Sequence, residues 1–205
     1  MLKSPMSKLV INKIYKLHQQ NSHGIYYDKM LEICWNHSLI VSEIALQLAK
    51  KIQKKYKIKI DLKLIEQGAL LHDIGFYKCF NDNYQRVVPY IQHSYLGYKL
   101  LKKEKIPENI ARFALIHTGV GIKNDIPITL EEEIVTYADG FHSKGHPQFN
   151  TIEDQRLSLI KYNEGFEIIL DRFKVKFGLP ELTKISKKYS SWHLEINNWL
   201  KSIKW

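Results

Sequence analysis

Several features that would define a class of protein are scarce or missing in this 205-residue chain. Its two cysteines, Cys34 and Cys79, form no CxxC pair and suggest no disulfide framework. No apolar run approaches the roughly 20 residues that a membrane-spanning helix needs. The first residues also lack the apolar core of a signal peptide. We therefore expect a cytoplasmic protein with no membrane association.

Signature motifs of several common chemistries are absent as well. The chain has no GxxxxGK[ST] phosphate loop, no GxGxxG, no HExxH and no GxSxG. Nothing in it resembles a zinc finger or an RNA-recognition signature. These absences exclude the usual nucleotide-binding loops, zinc proteases and serine hydrolases as templates.

Charge is the unusual part of the composition, with a formal net charge of +10. A positive field of this size attracts phosphorylated substrates or nucleic acid. It also arises when lysines merely cover solvated faces, and we favour that interpretation for most of them because there is no arginine cluster. The charge is compatible with a phosphorylated small molecule as partner, and we do not expect nucleic acid.

Apolar residues recur at helical spacing along nearly the whole chain, and no strong strand alternation is seen. The pattern predicts helices over 7–20 and 28–55, from Asp61 to an end at Gly75, from about Ile91, from Pro107, from Thr129, over 152–177 and at the C-terminus. Residues 76–90 and 118–128 are predicted loops. We expect one all-α domain over 1–205, with a core at about 28–145 and a helical extension at about 150–205.

Metal-ligand residue types lie on the apolar faces of these predicted helices. They are His37, His72, His93, His117 and Asp139, and Asp73 directly follows His72. A single histidine on an apolar face is usually a satisfied core residue, but five repeats favour one shared site. Imidazole and carboxylate ligands suit divalent Fe or Mn best, with Zn, Ni, Co and Mg as further options, bound as one ion or two.

The order of these residues resembles a known family. The set His37…His72-Asp73…Asp139 is similar to the HD-domain superfamily of metal-dependent phosphohydrolases, and Leu71-His72-Asp73-Ile74-Gly75 reads as its HDIG variant. The likeness covers about 34–145 and includes the segments around His93 and His117. It extends to small unassigned bacterial and archaeal HDIG proteins and to HD hydrolases that cleave diadenosine tetraphosphate. The stretch after Asp139 departs from the diadenosine-cleaving group.

The resemblance implies a helical bundle with about five core helices around a metal site. It implies that His37, His72, Asp73 and Asp139 are the signature ligands, with Asp73 bridging any second ion and His93 and His117 completing a dinuclear site. The activity implied is cleavage of a phosphomonoester or phosphoanhydride bond in a nucleotide-like substrate by metal-activated water.

Cations and histidines close to the ligands in sequence are secondary candidates. With Asp73, the predicted catalytic residues are His142 and Lys144, and the predicted substrate-binding residues are Lys78, Arg86, Lys123 and His146. For His142, Lys144 and His146 a solvated loop is an equal alternative, and for the others an ordinary surface cation is the commoner case. His18, His23 and His193 are predicted to be surface residues, and Glu43 and Glu66 to have no role.

Two other functions remain open at this point. One is a non-catalytic, metal-containing module that binds a nucleotide or nucleic acid. The other is oxidative cleavage, because dinuclear iron oxygenases exist in the wider superfamily. The C-terminal aromatic residues are predicted to pack, either on the core or on another subunit, so a homodimer is also open.

Overall fold

The computed structural model describes residues 4–118, 126–160 and 166–203. Within these ranges the helices are α1 (Lys8–Asn21), α2 (Tyr27–Tyr56), α3 (Leu62–Leu71), α4 (His93–Lys103), α5 (Glu108–Ile116), α6 (Leu130–Asp139), α7 (Ile152–Ile160), α8 (Phe166–Phe177) and α9 (Thr183–Ser202). Two 3₁₀ helices occupy Ile74–Cys79 and Tyr90–Gln92. Strands β1 (His142–Ser143) and β2 (Gln148–Phe149) pair antiparallel, with His142 opposite Phe149.

The predicted all-α fold class is confirmed. The centre of the bundle is made by α2 to α6: α2 packs on α3 and α6, and α5 packs on α3 and α4. This agrees with the expected core of about five helices. Across the described ranges, none of the helices combines the length and the apolar character needed to cross a bilayer.

Helix α2 is the longest element and runs through the middle of the bundle. Its apolar residues Ile40, Val41, Ile44 and Leu48 are all fully buried, as their spacing of three and four residues predicts. His37 belongs to the same buried face and is 1% exposed. The periodicity of α2 therefore carries an imidazole into the protein interior.

Side-chain caps start α3 and α6, the helices that position His72 and Asp139, as the sequence predicts. The Asp61 carboxylate accepts hydrogen bonds from the backbone of Lys63 and Leu64, both at 3.0 Å. Thr129 and Glu132 form a capping box at the start of α6. Because buried Glu132 also pairs with Arg112 at 2.7 Å, it joins α6 to α5.

The C-terminal aromatic stripe packs on the core of the same chain. On α9, Ile185, Tyr189, Ile196 and Leu200 are buried. Trp192 packs against both hydrophobic clusters. The predicted helix over 152–177 corresponds to α7 and α8, and residues 161–165 lie outside the described residues. Most of the predicted loop at 118–128 also lies outside them.

Two residues predicted to lie on the surface or without a role are buried. His18 is fully buried, and its Nε2 donates to the carbonyl of Leu70 at 2.8 Å while Nδ1 accepts from the Tyr77 hydroxyl at 2.9 Å. Burial lowers the pKa of His18 to about 4, so the ring is neutral. Glu66 accepts the backbone N–H of Met6 at 2.9 Å. Both corrections have the same cause: residues 4–21 pack against α3 and the 3₁₀ helix that follows it. Helical periodicity shows which residues of a helix are apolar but not which distant segment will cover them.

A glycine is needed at position 75 for close packing, not to end a helix. The sequence predicts that it ends α3, but α3 ends at Leu71 and Gly75 lies inside a 3₁₀ helix. A Cβ on Gly75 would lie 2.0 Å from the carbonyl oxygen of His93 and 2.4 Å from the nitrogen of Gly97. The missing side chain therefore allows α4 to approach the chain directly after Asp73.

Gly75→Ala is expected to destabilise the protein by about 3 kcal/mol or more, because the added methyl group meets backbone atoms that cannot rotate away. Gly145→Ala is the matched control, since nothing lies within 4 Å of its Cβ position. Chemical denaturation of the two variants measures the difference. Equal stability of both would contradict the close approach of α4.

Candidate metal centre

Four potential ligands from α2, α6 and the chain after α3 converge on one point. The Nε2 atom of His37 lies 3.0 Å from Oδ2 of Asp73 and 3.0 Å from Oδ1 of Asp139. The Nε2 atom of His72 lies 3.2 Å and 3.3 Å from the same two oxygens. The ligand atoms of this first group are all within 4.8 Å of one another, as a single ion requires.

A second group shares one residue with the first. The Nε2 atoms of His93 and His117 lie 3.2 Å and 3.3 Å from Oδ1 of Asp73. The other oxygen of Asp73 faces His37 and His72. One carboxylate thus presents one oxygen to each group, which is the arrangement of a bridging ligand between two ions.

Hydrogen bonds to backbone carbonyls orient three of the histidines. The Nδ1 atoms donate from His72 to Ala69, from His93 to Tyr90 and from His117 to Ala114, at 2.7, 2.5 and 2.8 Å. His72 and His117 follow directly on the last residues of α3 and α5, where helix carbonyls lack intrahelical partners. Because Nδ1 donates to a carbonyl, each ring turns its Nε2 atom into the centre, where this nitrogen can bind a cation.

The Nε2 atoms of the histidines face one another in both groups. The Nε2 atoms of His93 and His117 are 2.8 Å apart, and those of His37 and His72 are 3.2 Å apart. Buried Oδ1 of Asp73 accepts no hydrogen bond from the described part of the chain. Two facing lone pairs beside a carboxylate repel unless a cation or an added proton lies between them. The residues therefore fit two divalent cations with nitrogen and oxygen ligands.

The charges around the centre keep its carboxylates ionised. Burial opposes ionisation, but the charges of Lys144 and His72 hold the pKa of Asp73 well below its usual range. Burial alone would lower the pKa of His72, yet the charge of Asp73 and the bonds to Asp139 raise it to about 10. Burial lowers the pKa of His117 to about 4. A proton on His72 and a cation compete for the same position, so metal uptake should release a proton.

Lys144 reaches the centre from the loop after α6. Its ammonium group contacts Oδ2 of Asp73, and the residue is 8% exposed. The side chain lies over the rings of Phe76 and Tyr90, at 5.9 and 5.6 Å from their centroids. Burial would lower the pKa of Lys144, but the neighbouring Asp73 charge raises it above its usual value, which favours the charged ammonium form.

The remaining predicted residues are placed as follows. His142 is buried, with His37 and His193 on its two ring nitrogens, and these contacts favour a positioning role over contact with substrate. Arg86 is exposed and stacks over Tyr90 at 5.6 Å. Lys78 and His146 are exposed, on a 3₁₀ helix and on the turn between β1 and β2. Lys123 lies outside the described residues. Substrate-binding roles for these residues stay predictions.

Sequence reasoning missed two residues beside the centre. Tyr90 orients His93 through its carbonyl, and its ring lies next to the His93 ring, with centroids 4.6 Å apart and planes tilted by 37°. Tyr90 lies three residues before the candidate ligand His93, and this spacing could have indicated that its carbonyl orients the imidazole. His193, predicted to be a surface residue, contacts His142 from α9, and no spacing in the sequence could have shown this long-range pairing.

Comparison with known proteins gives the family. The family model described as the HD domain matches residues 34–144, more than half of the chain. The chain belongs to the HD-domain family. The resemblance seen in the sequence is thereby confirmed, and it places the chain in a superfamily of metal-dependent phosphohydrolases.

The similar proteins include three with the following identities and coverages. An uncharacterized protein of Methanocaldococcus jannaschii is 36% identical over 115 residues, which are 50% of this chain and 62% of that protein. The tRNA (cytidine(56)-2'-O)-methyltransferases of Picrophilus torridus and Thermoplasma volcanium are 38% and 32% identical over 98 and 116 residues. These matches cover 42% and 51% of this chain but only 26% and 30% of the enzymes. No solved structure matches the chain significantly.

The two groups predict two ions per chain, and His117→Ala should reduce the content to about one, because it removes a ligand from the second group only. Elemental analysis of protein reconstituted with Mn²⁺ or Fe²⁺ measures the content. His146→Ala, an exposed histidine outside both groups, is the control and should keep two ions. A wild type that holds one ion, unchanged in His117→Ala, would contradict the second group.

Proposed function

We propose that this protein is a metal-dependent phosphohydrolase that cleaves a phosphomonoester or phosphoanhydride bond of a nucleotide-like substrate. The observation that carries the proposal is Asp73, whose two carboxylate oxygens face two separate groups of histidines. The first ion would be held by His37, His72, Asp73 and Asp139, and the second by Asp73, His93 and His117. When bound, such ions lower the pKa of water and neutralise charge on phosphoryl oxygens.

The exposure of the ligands indicates the side from which substrate enters. The Asp139 side chain is 20% exposed, whereas the other five ligands are at most 5% exposed. A phosphate group would therefore meet the centre beside Asp139. The buried remainder of the site excludes water and keeps the field of its charges unscreened.

Two cations next to the centre suit an anionic substrate. Lys144 holds a buried positive charge against Asp73, where it can stabilise negative charge that develops on the transferred group. Arg86 lies over the ring of Tyr90, 5.6 Å from its centroid, and is exposed to incoming ligands. In this proposal Lys144 acts in catalysis and Arg86 binds the substrate.

Lys144→Met is expected to lower kcat/KM by a factor on the order of 10²–10³ without weakening metal binding, because it removes a stabilising charge but no ligand. Asp73→Asn should lose both activity and metal. A panel of nucleoside phosphates and p-nitrophenyl phosphate, assayed with Mn²⁺, measures the rates. Lys99→Met, an exposed lysine on α4, is the control. Metal-loaded wild type that turns over none of these esters would reject the proposal.

A second candidate function is binding of RNA, and the end of α2 favours it. Lysines occupy positions 50, 51, 54, 55, 57 and 59, and five of these six side chains are exposed. Exposed Tyr56 lies among them. Two of the relatives are tRNA methyltransferases, so a tRNA is the RNA to test. Phosphate contacts by lysines would give an affinity that falls steeply with salt.

Lys54→Glu combined with Lys55→Glu should weaken tRNA binding by roughly tenfold or more, because two phosphate contacts become repulsive. Fluorescence anisotropy at two salt concentrations measures the affinity. Lys184→Glu combined with Lys187→Glu on α9 makes the same change in net charge at another exposed site and is the control. Equal losses in both variants would mean that only net charge matters, and no RNA site is formed by α2.

A further inference from the structure

One ligand of the first group is oriented differently from the other histidines. The Nδ1 atom of His37 has no free carbonyl to bind, because His37 lies in the interior of α2, where backbone carbonyls are used by the helix. Instead, Nδ1 of His142 lies 2.8 Å from it. A side chain from β1 thus takes the place that a carbonyl takes for His72, His93 and His117.

The contact continues outward to the C-terminal helix. The Nε2 atom of His142 lies 3.1 Å from Nε2 of His193 on α9. Their rings are stacked, with centroids 5.2 Å apart and planes at 21°. His142 is 3% exposed, and His193 is partly exposed. Three histidines from α2, β1 and α9 therefore form one row from the centre toward the surface.

Hydrogen-bond polarity is determined along this row once a cation is bound. A ligating Nε2 of His37 leaves the proton on Nδ1, so Nδ1 of His142 must accept. The proton of His142 is then on Nε2, so Nε2 of His193 must accept in turn. The proton of His193 is left on Nδ1. Any other arrangement places two donors or two acceptors against each other.

We propose that His142 and His193 are positioning residues that hold His37 in its ligating tautomer, and that α9 is therefore part of the metal site. This inference rests on the proposed function, because it requires a cation at the first group. His193 lies outside residues 34–144, so the segment beyond the matched HD domain supplies the outer end of the row. Partners that orient ligating histidines typically change metal affinity by about 10–100-fold.

The test is zinc affinity of the full chain, measured by competition with a chromophoric chelator. His193→Phe keeps an aromatic ring beside Trp192 but removes the acceptor, and it should weaken zinc binding by roughly tenfold. His193→Gln places an amide oxygen near the position of Nε2 and should restore most of the affinity. Asn197→Ala, on α9 and bonded to the Pro147 carbonyl, is the control for docking of α9 and should bind zinc like the wild type.

A spectroscopic readout accompanies the affinity. In zinc-loaded wild type, long-range ¹H–¹⁵N correlation spectra should show His142 protonated on Nε2 and His193 protonated on Nδ1. The opposite tautomers, or wild-type affinity in His193→Phe, would overturn the inference while leaving the metal site intact. A wild type that takes up no zinc would overturn the proposed function, and the inference with it.

Discussion

A buried carboxylate surrounded by imidazoles is the constraint on which this structure depends. Asp73 is fully buried, and its ionised form is held by the charges of Lys144 and His72. Removing a charge of this kind from water is costly unless partners surround it. The five central helices meet at this point, and each contributes a group that faces Asp73 or the cations it would bind. The packing of the five helices and the compensation of this buried charge therefore depend on each other.

Most of the groups that surround Asp73 lie at the ends of helices. His72, His117 and Asp139 stand at the C-terminal ends of α3, α5 and α6, where free carbonyls and helix dipoles both favour cations. His37 is the exception because α2 passes through the centre without ending there. Its orientation needs a side chain from elsewhere, and this accounts for the involvement of β1 and α9.

Much of this could be predicted from the sequence, for a physical reason. The periodicity that buries Val41 and Leu48 also sets the direction of His37, so convergence of ligands follows from helical phase. Helix caps such as Asp61 can also be predicted, because the side chain bonds to backbone groups only two or three residues away. Contacts between distant segments are not: Glu66 bonds to a residue 60 positions away, and His142 to one 51 positions away. Such pairings depend on how helices are arranged in space, which no spacing rule encodes.

The close approach of α4 to Gly75 affects the geometry of the two ligand groups. His93 belongs to the second group, and its own carbonyl oxygen touches Gly75, two residues after the shared carboxylate. Close packing of two backbone segments thus restricts the distance between His93 and Asp73. Any two ions bound to these groups would be held a restricted distance apart, and the size of a group that bridges them would be restricted in the same way.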